Sequence, residues 1–473
     1  MRINKLKSTT VKKYLKDVSI DVLSSDELRN KYFVNPKSDF TRERKITFYK
    51  LLKYVFCRSA GTLTSTLQHF FGYGPQRPGK SAYVRAMKKI KPCFWEDLYG
   101  MLTKKVVSVA CNNTYSGYHL VGIDGTDLAV PEYDEECHTF NNRIHGQVCS
   151  HSSIHISAAF DTLSDVCLDT VIQKGDDMDE QSAAVDLVDR FDFFLKTIFI
   201  GDRGYPSYNL MAHIIEKGQF FVLRSIDSES DVGIGSYWWN KLAGDKKEGS
   251  VTVTVRVTRA NTKAVRDSDL YHYIQANFDY LPAKSPFTQG RNSRSLEELT
   301  QNDFYEITFR VVRVKINDEK DKDKETYEIL LTNLPEEEFS LDDLKFTYHC
   351  HWGIETFFRE LKNNEGLSYI HAKITNLIIA EIYVRIMLHN IISMLCNEAA
   401  VYRNKETGKK LTGYSISHSD ACSAVMKFLK EKRGRPKGLI YELARNLVAI
   451  KNGRSFPRKL VLHGFVGYSY RAA

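Results

Sequence analysis

The stretch Tyr348–Gly366, YHCHWGIETFFRELKNNEG, has helical spacing and a polar side richer in chemistry than solubility requires. At about 100° per residue, Ile354, Phe357, Phe358 and Leu361 fall on one arc, a core face. Tyr348, His351, Trp352, Glu355, Arg359 and Lys362 fall on the adjoining arc. That arc holds one carboxylate, Glu355, among cations and aromatics. A helix that merely packs on a core has no use for such a mixture.

Two other segments supply partners for Glu355. HLVGID (119–124) and TIFIGD (197–202) are apolar runs ending in Asp, each followed by turn formers. Strand ends are where a sheet brings carboxylates from separate segments together. Singly, an Asp after a strand is usually a turn former. Asp124, Asp202 and Glu355 together make an oxygen-only set suited to a hard divalent cation. Two Mg²⁺ ions, with Mn²⁺ as a substitute, would polarise a phosphodiester, activate water and stabilise the leaving oxygen.

The spacing Tyr348-x2-His351-x3-Glu355-x6-Lys362 resembles the Y-(2)-R-(3)-E-(6)-K signature of the IS4 family of DDE transposases of bacterial insertion sequences. IDGT at 123–126 and DRGY at 202–205 resemble that family's two aspartate motifs. The resemblance extends to FTRERKITFYKLL near the start and GRSFPRKL near the end. It implies that Asp124, Asp202 and Glu355 bind the metal, with Asp124 rather than Asp127 as the ligand. It also implies that Tyr348 and Lys362 contact transposon-end phosphates. His351 stands where the signature has Arg, and carries charge only when protonated. Arg359, on the same face, is expected to supply part of that charge.

Charge is distributed unevenly. Residues 1–100 hold 21 Lys and Arg against 8 Asp and Glu, and residues 427–473 hold 12 against 2. The whole chain carries +9, so the middle is acidic. Basic ends around a carboxylate centre suit a nucleic-acid binder, although a single charge run is commonly just a solvated face. No run reaches the ~20 apolar residues of a membrane span, and MRINKLKSTT has no signal-peptide core. Nine cysteines without a CxxC pair indicate reduced thiols in a cytosol, here the bacterial cytosol or nucleoid.

The chain reads as an α/β multidomain protein in five regions. Residues 1–100 are a basic helical DNA-binding domain, with helices near 9–17, 24–32, 45–56, 62–71 and 81–91. Ser81 is the expected N-cap of the last, which presents Arg85, Lys88 and Lys89 on one face. Residues 101–225 read as the first part of an RNase H-like core: strands 119–124, 152–161, 165–173, 197–202 and 219–224, with helices 180–195 and 206–217. Residues 226–335, with alternating stretches such as VTVTVRVTR (251–259), read as a β-rich insertion, a feature the family carries. Residues 336–400 complete the core with the helix of Glu355. Residues 401–473 form a basic region for DNA binding or dimerisation, with Phe456, Phe465, Tyr468 and Tyr470 among its cations.

The cluster His349-Cys350-His351 lacks the further ligands of a zinc site. Trp238 and Trp239 are candidate stacking platforms for a flipped base, while the family's tryptophan position falls on Glu328 beside Tyr327. The expected function is Mg²⁺-dependent cut-and-paste transposition by a homodimer acting on double-stranded DNA, at terminal inverted repeats and a target. The alternatives are an inactive transposase-derived DNA-binding protein and an RNase H-like nuclease without strand transfer.

Overall fold

The two apolar runs ending at Asp124 and Asp202 become neighbouring parallel strands, and the molecule is built outward from that pair. The structure is a computed structural model describing residues 7–58, 61–130, 139–144, 147–258, 271–273, 305–316, 326–370, 372–408, 413–431 and 435–450. The tail aromatics, GRSFPRKL and the charged loop NDEKDKDKE lie outside the described residues.

Six helices open the chain: α1 (Val11–Ser24), α2 (Asp26–Tyr32), α3 (Phe48–Cys57), α4 (Leu63–Phe71), α5 (Lys80–Met87) and α6 (Pro92–Ala110). Ser25, Thr47 and Thr62 cap α2, α3 and α4 by accepting a backbone N–H three residues on. The cap expected at Ser81 is instead Gly79, so Ser81 sits inside the first turn of α5. Lys88 and Lys89 lie past the last residue of α5, not on its face with Arg85. Residues 89–91 are drawn out of the helix by a bridge between Phe33 and Ile90, with Val34 N–H donating to Lys89 and Lys91 N–H to Tyr32.

The sheet follows with β1 (His119–Val130), β2 (Thr139–Ile144), β3 (Gln147–Asp161), β4 (Val166–Lys174), α7 (Glu180–Arg190), β5 (Thr197–Gly201), α8 (Tyr208–Glu216) and β6 (Phe220–Ser225). Strand β3 pairs antiparallel with β1, β2 and β4, whereas β1, β5 and β6 run parallel. Every residue of β5 is buried, as a strand covered on both faces should be. Asp124 is not at a strand end: β1 continues to Val130 because β3 stays paired with it as far as Val130↔Ser152. Only the parallel pairing with β5 stops there. Helix α7 ends at Arg190, short of 195, because Phe191 leaves it to pack edge-on against Phe199, ring centroids 5.1 Å apart.

The later strands do not form a separate sheet. After α9 (Gly233–Leu242), strands β7 (Gly249–Thr258), β8 (Tyr271–Tyr273), β9 (Tyr305–Ile316) and β10 (Thr326–Thr332) extend the first sheet. Its order is β2-β3-β1-β5-β6-β10-β9-β7-β8, with β4 also on β3. This is a mixed α/β fold with one large mixed sheet.

The opening stretch of the sequence is two helices rather than one: α10 (Leu341–His349) and α11 (Trp352–Asn363). His351 N–H bonds Tyr348 and Ile354 N–H bonds His351, three-residue spacings that tighten the join. The helical phase survives the join, so Tyr348, His351 and Glu355 remain on related faces. Helix α12 (Thr375–Thr407) is long and apolar enough to cross a membrane, but most of its apolar segment is buried inside the protein. It packs on α6, and on α13 (His418–Lys430) and α14 (Pro436–Arg445), with a short β11–β12 pair (Tyr414–Ile416, Leu447–Ala449). Asn390 clamps it to β4 by accepting from Cys167 N at 2.9 Å and donating to Cys167 O at 2.8 Å. The charges within it are used: Glu381 pairs with buried Arg58 at 2.5 Å.

Candidate active site

The pairing Ile123↔Gly201 is the last rung between β1 and β5, so Asp124 follows on β1 and Asp202 comes just past the end of β5. Neighbouring strands lie about 4.8 Å apart. Helix α11 packs on β1 where there is no side chain: a Cβ on Gly122 would sit 3.4 Å from Ile354. Glu355 follows Ile354 and acts electrostatically on Asp124. The three carboxylates expected from sequence are thus drawn toward one region. Burial, then the charges of Glu355 and Glu180, push the Asp124 carboxyl up to about 6, against the opposing effect of His351 and the Gly125 N–H. Crowded carboxylates of this kind are relieved by a cation. The all-oxygen donor set fits a hard divalent ion better than a thiophilic one.

Asp202 is tuned the other way. Burial alone would raise its pKa, but the Arg203 N–H, Tyr348 hydroxyl, Arg224 and His351 outweigh it and hold it low. Tyr348 donates to Asp202 Oδ1 at 3.0 Å, and Arg224 donates to the Tyr348 oxygen at 3.2 Å. The same guanidinium pairs with Glu328 at 2.6 Å. Arg224 was not foreseen; its signal was a charged residue inside the apolar strand FFVLRS. Glu328 is a partner for Arg224.

His351 is buried at the start of α11, its ring parallel to Tyr348, and its Nε2 reaches the carbonyl of Ile123 at 3.3 Å. A carbonyl only accepts, so that nitrogen carries the proton in this bond. Lys362 Nζ donates to Thr126 Oγ1 at 2.6 Å, tying α11 to the IDGT segment. Burial lowers its pKa, with Asp127 opposing. Arg359 is exposed on α11.

Asp127 alternates to the other face of β1 from Asp124 and pairs with His155 Nδ1 at 2.9 Å. Glu180 joins from that face, 3.5 Å from His155 Nε2, and was missed by sequence reasoning. Together they explain the glycine of IDGT: a Cβ on Gly125 would lie 2.4 Å from His155 Nε2 and 3.2 Å from Glu180.

A cavity of about 530 Å³ opens beside the centre, lined among others by Arg224, Glu328, Tyr348, His351, Trp352 and Glu355. Trp352 is 59% exposed there. Trp238 and Trp239, candidate stacking platforms by chemistry alone, are buried, and Trp238 Nε1 donates to the Tyr208 hydroxyl at 3.0 Å. A second cleft of about 1000 Å³ lies among the N-terminal helices. Its walls include Lys37, Arg42, Arg44, Lys45, Lys50, Arg85 and Lys89, with Glu43 the one acid among the described wall residues. Arg85 and Lys89 thus reach a common basic surface, although Lys89 also pairs with Asp39 at 3.1 Å.

The family model for the transposase DDE domain matches residues 115–391, which contain all three carboxylates and the strands and helices that carry them. The chain belongs to the DDE transposase family. DDE transposases cleave and join DNA strands and use divalent metal ions. The chain is also similar to piggyBac transposase in a cryo-EM structure of its synaptic complex with hairpin DNA. The identity is 11% and the TM-score 0.43, over 93% of this chain and 86% of that one. No curated protein matches the sequence.

Proposed function

We propose that this DDE transposase catalyses cut-and-paste transposition of a bacterial insertion sequence of the IS4 group. It acts in the bacterial cytosol as a homodimer that pairs two terminal inverted repeats. The observation that carries the reading is the β1–β5 register, whose last rung, Ile123↔Gly201, immediately precedes Asp124 and Asp202. Antiparallel β4-β3-β1 continued by parallel β5 and β6 supports an RNase H-like core.

Asp124, Asp202 and Glu355 would hold two Mg²⁺ ions, which when bound would polarise the phosphodiester and lower the pKa of an attacking water. Tyr348 and Arg224 fix the Asp202 carboxylate. His351 fixes the strand that carries Asp124 through Ile123. Lys362 leaves Thr126 to meet an end phosphate, as a point charge suits. Trp352 offers an exposed aromatic face to an unpaired base at the cavity rim. The basic cleft around Arg85 binds the ends away from the centre, through phosphates whose released counterions make binding salt-dependent.

Strand transfer separates transposition from simple nuclease action. A pre-nicked end fragment with a free 3′-OH, incubated with a target plasmid and Mg²⁺, is expected to become joined to the plasmid. Cleavage of an intact end without any joined product would replace the proposal with the nuclease reading. Binding with neither product would replace it with the inactive DNA-binding reading.

A further inference from the structure

A second group of metal-competent side chains lies apart from the three carboxylates, where α11, α12, α13 and the β3–β4 turn meet. Glu360 follows Glu355 by five residues, about 140° around the helix. His389 comes from α12, His418 from the first turn of α13, and Asp165 from the turn. His389 is fully buried and His418 nearly so. The donor atoms of Glu360, His389 and His418 lie within 4.8 Å of one another.

The hydrogen bonding sorts the ring nitrogens into two sets. His389 Nδ1 and His418 Nε2 both meet Glu365 Oε1, at 3.1 and 2.6 Å. One buried carboxylate therefore orients both imidazoles, the arrangement that supports metal-bound histidines. The opposite nitrogens turn toward the remaining acids. His418 Nδ1 stands 3.4 Å from Glu360 Oε2 and 4.0 Å from Asp165 Oδ2, and His389 Nε2 stands 3.7 Å from Asp165 Oδ1. These separations are long for direct hydrogen bonds. The Glu360–His418 separation matches the roughly 3.4 Å between ligands on a tetrahedral ion with bonds of about 2.0–2.1 Å, and those to Asp165 are looser.

From this geometry we infer a structural site for one divalent transition ion of the zinc type, held by His389, His418 and Glu360, with Asp165 as a neighbouring carboxylate. Two nitrogens and a carboxylate oxygen match zinc better than magnesium, which takes oxygen and water. The site would pin the far end of the Glu355 helix to α12 and α13. It is independent of the proposed chemistry.

The rival occupant is a proton. Burial opposes charge on His389, yet Asp165 and Glu365 push it up to about 10, and Ser393 Oγ lies 3.4 Å from its Nε2. Two features favour the metal. The rings of His389 and His418 stack with centroids 4.8 Å apart at 27°, a poor arrangement for two imidazolium cations. Glu365 Oε2 is buried and accepts no hydrogen bond among the described residues, so negative charge is in excess there.

The test is metal content and Zn²⁺ titration of the full chain, purified without metal-affinity resin, with excess Mg²⁺ present. One Zn²⁺ per chain is expected in the wild type and in Asp124→Asn/Glu355→Gln. His418→Ala should retain less than a tenth of it. Glu360→Gln, at a half-buried position that keeps its shape, should weaken Zn²⁺ binding at least tenfold even if His418→Ala fails to fold. Absence of Zn²⁺ binding in the folded wild type would overturn the site. So would Zn²⁺ binding that is lost in Asp124→Asn/Glu355→Gln but kept in Glu360→Gln.

Discussion

Asp124→Asn should stabilise the metal-free protein while abolishing its response to Mg²⁺. The Asp124 carboxyl is raised from 3.8 to about 6 by burial and by the carboxylates of Glu355 and Glu180. At about 1.4 kcal/mol per tenfold change in proton affinity, keeping it ionised costs roughly 3 kcal/mol at neutral pH. A carboxyl raised on folding contributes full stability below its unfolded value and loses it as pH rises through about 6. The asparagine keeps an oxygen for the Gly125 N–H and has no charge to hold. In EDTA at pH 7.5 it should therefore unfold later than the wild type, by about 1–3 kcal/mol. The gap should close as pH falls toward 4. At Mg²⁺ a hundredfold above its dissociation constant, the wild type should gain about 2.7 kcal/mol and the variant almost nothing. Thermal or urea unfolding at two pH values, with and without Mg²⁺, measures all of this. A variant no more stable than wild type in EDTA, or equally stabilised by Mg²⁺, would refute the crowded-carboxylate argument.

Other substitutions probe the frame. Gly125→Ala would drive a methyl into His155 and Glu180, costing about 1–3 kcal/mol and reducing cleavage at least tenfold; Gly204→Ala, whose nearest atom is Glu180 Oε2 at 3.6 Å, is the near-neutral control. Glu381→Gln would leave buried Arg58 without its counterion, and urea unfolding should register a loss of about 3–5 kcal/mol. Trp352→Ala should leave the melting temperature unchanged while weakening binding of end DNA by about 1–3 kcal/mol in a gel-shift titration, as loss of one stacked base requires.

What the sequence revealed followed from periodicity and local punctuation. The order of β1, β3, β4, α7, β5, α8 and β6 was legible because each strand is an apolar run bounded by turns and each helix repeats at 3.6 residues. Asp124, Asp202 and Glu355 stood out because a charge ended or interrupted such a run. The break at Cys350–His351 was hidden, since a two-residue join bridged by three-residue hydrogen-bond spacings barely disturbs helical phase. The burial of Trp238 and Trp239 and the pairing of Arg224 with Glu328 depend on how α9 and β10 pack against β6. No local pattern records that. Glu180 beside Gly125, and His389 beside His418 and Glu360, are partnerships across the fold. Histidines at such distant positions read individually as core or surface, and only the fold brings them together.

In the proposed function, Asp124, Asp202 and Glu355 are together required for metal-dependent DNA cleavage. The most direct measurement is Mg²⁺-dependent cleavage of a labelled fragment carrying one element end, comparing wild type with Glu355→Gln, alongside electrophoretic binding of the same fragment. The account predicts cleavage by the wild type alone, with binding retained in both. Equal cleavage by Glu355→Gln, or binding without cleavage by the wild type, would contradict it.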